Sequence, residues 1–250
     1  CDRSRQRTAA PVRSRMKDMA IESAAEDPAA SAAARVVLFD FDGVIVRGDS
    51  FTAFMRWHLR RSWWRLALCI LLLPLLAPFC LVKRLRIRIL GVFVRIALLG
   101  IDNERFERLL DVFVVDWVGR PRIFIRTGIR ELRRHMQAGD RVIVVSGCEQ
   151  RLLRRIFDAI GLTGIELIGS RLREGRLGLR KDVHNVGRTK PQQLAAYGIE
   201  PPWDVAYSDS AHDIPMLKAA REAVLVNAGV ETVRRVERAL NVAPRRVDWF

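Results

Sequence analysis

Acidic residues are missing from a long stretch of this 250-residue sequence. Between Phe51 and Ile101 there is no Asp or Glu, whereas nine Lys and Arg residues fall there. The whole chain is also short of acid, with 43 Lys and Arg against 28 Asp and Glu and a formal net charge of +15 at pH 7. A chain with this excess of positive charge is attracted to anionic partners such as nucleic acid, acidic lipid or phosphorylated substrates.

Cysteine is scarce and is not arranged in pairs. The four cysteines are Cys1, Cys69, Cys80 and Cys148, and no two of them form a CxxC pair. This excludes a disulfide framework and a cysteine-based zinc site. We find no pattern of a secretory signal peptide, and we expect a reducing, cytoplasmic environment.

A nucleic-acid-binding signature is also missing, although the charge would suit one. The basic run with interleaved aromatic residues is RWHLRRSWWR at residues 56–65, and an uncharged apolar segment follows it directly. The apolar segment next to the basic run favours binding to an acidic lipid surface over binding to nucleic acid. We therefore expect an anionic membrane surface and a phosphorylated substrate as partners, and no nucleic acid.

The order of local patterns predicts the fold class. Residues 1–34 have almost no large apolar side chains and are rich in Arg, Ser and Ala, which predicts a disordered leader. From residue 35 onward, strand-like apolar runs alternate with helical patterns, which predicts an α/β fold with a doubly wound parallel sheet. The strand-like runs lie at 36–39, 141–145, 205–207 and 223–226.

Acids and a serine stand at the ends of three predicted strands. Active sites of such sheets lie at the carboxyl ends of the strands, and adjoining helix starts can add further side chains there. The residues that these positions supply are Asp40, Asp42, Ser146, Lys190, Asp209 and Asp213. Four converging carboxylates repel one another and need a cation, and their oxygen ligands indicate Mg²⁺.

Four segments, in order along the chain, carry a family resemblance. They read FDFDGVI from Phe39, VIVVSG from Val142, GRTK from Gly187 and SDSAHDIPML from Ser208. Over roughly residues 36–229 the sequence resembles the phosphatases of the haloacid dehalogenase superfamily, in particular the phosphoserine-phosphatase-like subfamily. One departure is Ser208, because glycine is commoner at the start of the fourth motif. The resemblance implies a Rossmann-like catalytic core and a phosphoric monoester hydrolase.

The resemblance implies a role for each carboxylate of the first motif. Asp40 would be the nucleophile that forms an aspartyl-phosphate. Asp42 would protonate the leaving alkoxide and then activate the water that hydrolyses the intermediate. Asp209 would bind Mg²⁺ together with Asp40 and the main-chain carbonyl of Asp42.

The same resemblance implies roles for the remaining candidates. Ser146 and Gly147 of the second motif, with Lys190 of the third, would hold the phosphoryl oxygens. Lys190 would also neutralise phosphoryl charge and hold the nucleophile. Asp213 would support the metal site or the lysine.

Members of this family often carry a cap domain between the first and second motifs. The resemblance therefore implies a catalytic α/β core over residues 35–48 and 119–250. It implies a helical cap over residues 49–118. The unusual part of this cap is residues 66–100, which we expect to form a membrane-associating hydrophobic hairpin.

Two apolar stretches flank a basic run in residues 66–100. The first, 66–82, has 17 residues and no charge, which is the lower limit of about 17–25 for a membrane-spanning helix. Since Asp40 precedes the segment and Ser146 follows it, yet both must enter one active site, the segment crosses a membrane either twice or not at all. We expect a re-entrant or interfacial hairpin whose basic flanks lie at an anionic surface. The alternative is a buried hairpin of a soluble cap.

The apolar cap bears on the substrate. The chain resembles the phosphatidylglycerophosphatase C family in Asp49 and Phe51 after the first motif, in the apolar cap, and in Tyr207-Ser208-Asp209. This implies dephosphorylation of a lipid phosphate such as phosphatidylglycerophosphate on the cytoplasmic face of the bacterial inner membrane. A phosphatase of soluble phosphoserine or sugar phosphate is the first alternative, and an inactive membrane-bound binding protein is the second. The oligomeric state stays open.

Overall fold

The computed structural model describes residues 34–81 and 83–249, and a sheet of seven strands organises them. The strands are β1 (Val36–Phe39), β2 (Arg141–Glu149), β3 (Glu166–Arg173), β4 (Arg180–Val183), β5 (Trp203–Ser208), β6 (Ala220–Val226) and β7 (Arg245–Val247). Their order in the sheet is β4-β3-β2-β1-β5-β6-β7. The predicted disordered leader over 1–34 lies, apart from its last residue, outside the described residues.

Helices cover both faces of this sheet and fill the segment between β1 and β2. They are α1 (Ser50–Arg60), α2 (Trp63–Leu76), α3 (Lys83–Ala97), α4 (Asn103–Val118), α5 (Arg126–Gln137), α6 (Gln150–Ala159), α7 (Thr189–Ala196), α8 (Ile214–Lys218) and α9 (Val230–Leu240). Short 3₁₀ turns at Ala77–Leu81 and Ala211–Asp213 follow α2 and precede α8.

The strand pairing confirms the predicted doubly wound α/β fold. Every pair of neighbouring strands is parallel except β3 and β4, which form an antiparallel hairpin at one edge. β1 lies between β2 and β5, with Phe39 opposite Val144 on one side and Tyr207 on the other. The carboxyl ends of these three strands therefore meet at the same edge of the sheet.

Two apolar clusters, one for each set of side chains along the strands, hold the layers together. Phe39, Val144 and Tyr207 belong to the cluster that also takes in the residues of α1 and α4. Leu38, Ile143 and Ala206, one residue earlier on each strand, belong to the second cluster with α8 and α9. This alternation is the period-two pattern of strands buried on both faces, and it explains their nearly continuous apolar sequence.

α1 packs on α4 through aromatic rings. The Asp49 side chain accepts a hydrogen bond from the Thr52 amide at 2.7 Å and so caps the start of α1. One turn later, Phe54 makes edge-to-face contacts with Phe106 and Phe113 of α4, with ring centroids 5.5 and 5.3 Å apart. Aromatic pairs in this geometry add about 0.5–1.5 kcal/mol each beyond the area that they bury.

Ion pairs fix α4 against α6. Arg151 pairs with Glu107 at 3.2 Å, and Arg155 pairs with Glu107 at 2.5 Å and with Asp111 at 2.6 Å. All of these side chains are partly exposed, so each pair contributes at most about 1 kcal/mol. Their main effect is to set the orientation of α4 on the α/β layers. The division into a core and a 49–118 cap remains a prediction.

α2 carries large apolar side chains on its outer surface. Trp63 is 80% exposed, Leu71 is 72% exposed and Leu75 is 65% exposed, and Ile70 and Leu73 are exposed as well. In the described part of the chain no single helix has the length and apolar character to span a membrane. α1 and the segment Trp63–Phe79 meet that criterion only as a pair, bent by 109° where they join.

The start of α5 lies against the loop that follows β1. The Ile125 amide donates to the Ile45 carbonyl at 2.9 Å, and the Arg47 amide donates to the Ile123 carbonyl at 2.7 Å. A Cβ at Gly128 would stand only 2.3 Å from the Val44 carbonyl oxygen. A side chain at position 128 therefore cannot fit unless helix and loop move apart.

We expect Gly128→Ala to lower the free energy of unfolding by about 1–3 kcal/mol, the usual cost of overpacking. Gly119→Ala is the matched control, because Gly119 has helical angles and its nearest contact to an added Cβ is 3.7 Å away. Urea unfolding of the three proteins measures the difference. Equal stability of Gly128→Ala and wild type would contradict the close approach of α5 to the loop.

Candidate active site

The first motif forms a tight loop at the end of β1. The Asp40 amide still pairs with the Tyr207 carbonyl of β5 at 2.9 Å, so this carboxylate starts where the sheet ends. The amides of Ile45 and Val46 then both donate to the Phe41 carbonyl, at 2.8 and 3.1 Å. The loop thereby turns back on itself and directs two acids, two residues apart, toward the same edge of the sheet.

Lys190 joins two acids of this site in a buried ion bridge. Its Nζ lies 3.0 Å from Asp40 Oδ1 and 2.7 Å from Asp213 Oδ2. The Lys190 side chain is only 2% exposed. Ser208 donates its hydroxyl to the same Asp213 oxygen at 2.8 Å. The first, third and fourth motifs thus meet at one ammonium group.

The ionisation of these groups follows from burial and from the lysine. Burial raises the pKa of Asp40 well above its ordinary value, against the opposing effect of the Lys190 charge. Burial works in the same direction on Asp213, but the Lys190 charge and its hydrogen bonds hold the pKa of Asp213 below its ordinary value. Burial lowers the pKa of Lys190, and the two carboxylates outweigh it and raise that pKa. Lys190 therefore favours the ionised form of Asp213, whereas burial disfavours the ionised form of Asp40.

Asp42 stands apart from this bridge and has a different environment. Its Oδ1 accepts a hydrogen bond from the Ser50 amide at the start of α1, at 2.9 Å. Burial raises the pKa of Asp42 to about 6, although this hydrogen bond works against the rise. A carboxyl group that titrates close to neutral pH can both give and take a proton, which suits it to general acid–base catalysis.

Asp209 approaches the backbone of the first motif at Gly43. Gly43 has a φ of +82°, a conformation that favours glycine, and a Cβ there would lie 2.0 Å from Asp209 Oδ2. A glycine is therefore required for both backbone and space. Burial and then the nearby Asp213 charge raise the pKa of Asp209 to about 6. This acid lies against the residue that directly follows Asp42 in the first motif.

The donor set suits a divalent cation of the magnesium type. Among the described residues no group of three or more His, Cys, Asp and Glu side chains is arranged to hold a metal. The predicted site needs fewer, because its ligands are two carboxylates and the Asp42 main-chain carbonyl. Both carboxylates, Asp40 and Asp209, have raised pKa values. A hard cation would favour their ionised forms, and oxygen-only ligands are those that Mg²⁺ prefers.

The second motif brings a hydroxyl and a close backbone to the site. Ser146 is fully buried, and its Oγ accepts a hydrogen bond from the Cys148 amide at 2.9 Å, which leaves its own hydrogen to donate. A Cβ at Gly147 would lie 3.0 Å from Val186, so the segment before α7 passes close to this backbone. Ser170 of β3 donates its hydroxyl to the Gly147 carbonyl at 2.7 Å and so holds this part of β2 against β3.

A family model described as haloacid dehalogenase-like hydrolase matches residues 37–218. The chain belongs to the haloacid dehalogenase-like hydrolases. The matched region spans β1 to α8 and thus includes every candidate residue of the site. Its family and the chemistry of this site support assignment as a phosphatase.

Solved structures with the same fold share little sequence with this chain. A protein of unknown function from Bordetella pertussis Tohama I is 18% identical, with a TM-score of 0.61 over 87% of this chain and 100% of its own. A substrate-bound phosphoserine phosphatase is 17% identical, with a TM-score of 0.53 over 86% of this chain and 95% of its own. Cytosolic 5′-nucleotidase IIIB bound to cytidine is 11% identical, with a TM-score of 0.55 over 86% and 80%.

Sequence reasoning missed three contacts of this haloacid dehalogenase-like site. Ser208, which departs from the common glycine, supplies the hydroxyl that binds Asp213. Ser50 contributes its amide to Asp42 rather than capping α1, a task that Asp49 performs. Asn185 is fully buried and donates its backbone amide to Ser170 Oγ at 2.9 Å, whereas its side-chain Oδ1 has no partner among the described residues. No local sequence pattern pointed to the contacts of Ser208 and Asn185.

Other reactive side chains near the site have structural contacts. Cys148 is buried, and burial raises the pKa of its thiol well above its ordinary value, which disfavours the nucleophilic thiolate. The ring of His135 lies 2.6 Å from Asp140 and 3.0 Å from the Tyr207 hydroxyl, beneath the sheet. These residues therefore stabilise the fold, and the aspartates remain the candidates for chemistry.

The raised pKa of Asp42 predicts a pH-dependent stability. Folding shifts this pKa from 3.8 to about 6, so the folded state binds the proton more tightly. That contribution is present at low pH and is lost as pH rises through about 6. Relative to Asp42→Asn, the wild-type free energy of unfolding should fall by about 1–2 kcal/mol between about pH 5 and about pH 7.5.

Urea unfolding in chelator measures this difference. Chelator keeps cations away from the site, and subtraction of the variant cancels His58 and His184, whose pKa values burial lowers. Parallel pH profiles for the two proteins would contradict the buried environment assigned to Asp42.

Proposed function

We propose that this protein hydrolyses a lipid phosphomonoester at an anionic membrane surface, through an aspartyl-phosphate on Asp40. The observation that carries the chemistry is the buried bridge from Lys190 to Asp40 and Asp213, at the edge of the sheet where Asp42 and Asp209 also lie. The observation that carries the lipid substrate is the exposed apolar surface of α2. An inactive binding protein fits less well, because it has no need for four buried or half-buried acids around one lysine.

In the first step Asp40 attacks the phosphorus atom. Its Oδ1 accepts hydrogen bonds from Lys190 and from the Phe41 amide, at 3.0 and 2.7 Å, so Oδ2 is the oxygen left to form the new bond. The bond from phosphorus to the substrate oxygen breaks, and Asp42 gives its proton to the leaving alkoxide. General acid help of this kind is worth about 10²–10⁴ in rate.

In the second step a water molecule displaces Asp40 from the phosphorus atom. Asp42, now ionised, takes a proton from a water molecule, and the resulting hydroxide attacks phosphorus. The bond to Asp40 breaks, inorganic phosphate leaves, and both carboxylates return to their starting states. Ser146, the Gly147 backbone and Lys190 hold the phosphoryl oxygens in both steps, so catalysis depends on positioning and charge.

Asp40, Asp209 and the Asp42 carbonyl would hold Mg²⁺ in this site. When bound, the cation supplies positive charge next to the phosphoryl group. Burial raises the pKa of Asp40, and a nucleophile must be ionised, so this charge also favours the reactive form of the residue.

The outer surface of α2 supports attachment to a bilayer. Its exposed side chains include Trp63, Ile70, Leu71 and Leu75, and contiguous apolar patches of this kind mark interaction surfaces. The basic run at 83–88 follows in sequence and suits anionic head groups. In the membrane-associating hairpin that we propose for α2 and α3, both ends would stay on one side, which we propose is the cytoplasmic face of the bacterial inner membrane.

Phosphatidylglycerophosphate is the lipid that we propose, by resemblance to the phosphatidylglycerophosphatase C family. A soluble phosphomonoester such as phosphoserine is the second candidate. The likeness in fold to a phosphoserine phosphatase favours it. The two differ in whether the apolar surface of α2 contributes to turnover.

A substrate panel with a surface variant separates these candidates. We expect Ile70→Gln/Leu71→Gln/Leu75→Gln to bind anionic vesicles on the order of a hundredfold more weakly, because three apolar side chains no longer enter lipid. Hydrolysis of phosphatidylglycerophosphate in vesicles should fall in parallel, whereas hydrolysis of p-nitrophenyl phosphate should not change. Phosphate release in Mg²⁺ and in chelator is the measurement.

The matched control is Val112→Gln/Val115→Gln, since both valines are exposed on α4. This variant should keep both activities. Turnover of phosphoserine by wild type without turnover of any lipid phosphate would contradict the proposal and support the soluble alternative.

A further inference from the structure

The tip of the β3–β4 hairpin, residues 174–179, docks on the end of α3. The Gly100 amide donates to the Leu177 carbonyl at 3.1 Å, and the Leu179 amide donates to the Ile101 carbonyl at 2.9 Å. A Cβ at Gly178, whose φ is +100°, would lie 2.4 Å from the Leu98 carbonyl. The hairpin tip and α3 are therefore fixed against each other, and the space between them has rigid walls.

Three arginines line that space, which we name the arginine cleft. Its volume is about 360 Å³, and its lining is Arg95, Gly175, Arg176, Leu177 and Arg180. Arg95 is held in place from α3, because its Nη1 donates to the Leu179 carbonyl at 3.0 Å. Arg180 crosses the hairpin, since a Cβ at Gly175 would lie 3.3 Å from its Nε.

The charge of the arginine cleft is not compensated within the described part of the chain. None of its arginines has a carboxylate within ion-pair distance there, whereas Arg171 and Arg173 on the same hairpin both pair with Asp182, at 3.9 and 3.6 Å. Three guanidinium groups around one cavity repel one another, and they form a site that attracts an anion.

The acids nearest to the cleft are already engaged. Glu174 and Asp102 line an adjoining cavity of about 680 Å³ that shares Arg176 with the cleft. Glu174 accepts a hydrogen bond from the Asn103 amide at 3.0 Å, and Asp102 accepts one from the Arg105 amide at 2.7 Å. Both acids thus lie at the start of α4, where the helix dipole favours negative charge.

Exposed apolar side chains border the cleft. Leu177, which lines the cleft, is 63% exposed, and Val92, about one turn before Arg95 on α3, is exposed as well. A guanidinium group binds phosphate oxygens in a planar, two-pronged geometry. A ligand with a phosphate group next to apolar chains matches both features of this surface.

We propose that the arginine cleft binds the phosphate group of an anionic phospholipid and thereby anchors the hairpin at head-group level. The proposal rests on the membrane association proposed above, but not on catalysis. The cleft adds a specific contact to the non-specific attraction of the other basic residues. The proposal predicts that Arg176 and Arg180 contribute far more to vesicle binding than two arginines outside the cleft.

Vesicle co-sedimentation of Arg176→Ala/Arg180→Ala tests this contact. Both side chains are exposed, so their removal should leave the fold intact, which circular dichroism and thermal unfolding check. Vesicles contain either phosphatidylcholine alone or equal parts of phosphatidylcholine and phosphatidylglycerol. Binding to the anionic vesicles should weaken about 30-fold, from about 1 kcal/mol for each arginine.

The control is Arg234→Ala/Arg235→Ala, which removes the same charge from α9. That helix buries Val233 and Val236 in the apolar cluster opposite to the one that the α1 and α4 side chains join. It should bind anionic vesicles within about twofold of wild type, since distant surface charges are screened by salt. Equal weakening of the two variants, or no weakening of either, would overturn the arginine cleft as a lipid site.

A second arm separates lipid from soluble phosphate. Calorimetry measures the binding of glycerol 3-phosphate, a soluble phosphate, to wild type and to Arg176→Ala/Arg180→Ala. If wild type binds glycerol 3-phosphate, and Arg176→Ala/Arg180→Ala loses this binding but still binds vesicles as wild type does, the ligand of the cleft is a soluble phosphate. That result would overturn the phospholipid assignment. If wild type binds neither kind of vesicle, both the proposed membrane association and the proposed lipid site are overturned. The proposed hydrolysis is not affected by that result.

Discussion

The buried Lys190 ammonium is the constraint on which the rest of the site depends. It lies within 3.0 Å of Asp40 and 2.7 Å of Asp213, so two acids can be buried together at the end of a hydrophobic sheet. Without the lysine, an uncompensated buried charge would cost about 3–5 kcal/mol. The bridge therefore links β1, the start of α7 and the turn before α8, three parts of the chain that are far apart in sequence.

This constraint also divides the labour among the acids. The Lys190 charge holds the pKa of Asp213 below its ordinary value against burial, whereas burial raises the pKa values of Asp40, Asp42 and Asp209. The pKa of about 6 suits Asp42 to proton transfer, and the raised pKa of the other two makes a cation favourable beside them. The same desolvation that destabilises these charges would make a Mg²⁺ ion beside them favourable, as the proposed mechanism requires.

Much of the fold and the site was predictable because both rest on local patterns. The apolar runs that end in Asp40 and Asp209 became strands whose ends meet, as the alternation of elements predicts. Contacts between distant elements were not predictable in this way. The close approach of Gly128 to Val44, and the docking of the β3–β4 hairpin on α3, depend on tertiary packing and leave no local pattern. The hydropathy of residues 66–82 also did not predict that the Leu71 side chain is exposed.

The central claim is that Asp40 carries the phosphoryl group during turnover, and direct trapping tests it. The protein is mixed with p-nitrophenyl phosphate and Mg²⁺, quenched in acid during turnover, digested and analysed by mass spectrometry. We expect one phosphoryl group on the peptide that contains Asp40, and none in Asp40→Asn. Turnover by wild type with no phosphoryl group on that peptide, or with the group on another residue, would contradict the mechanism.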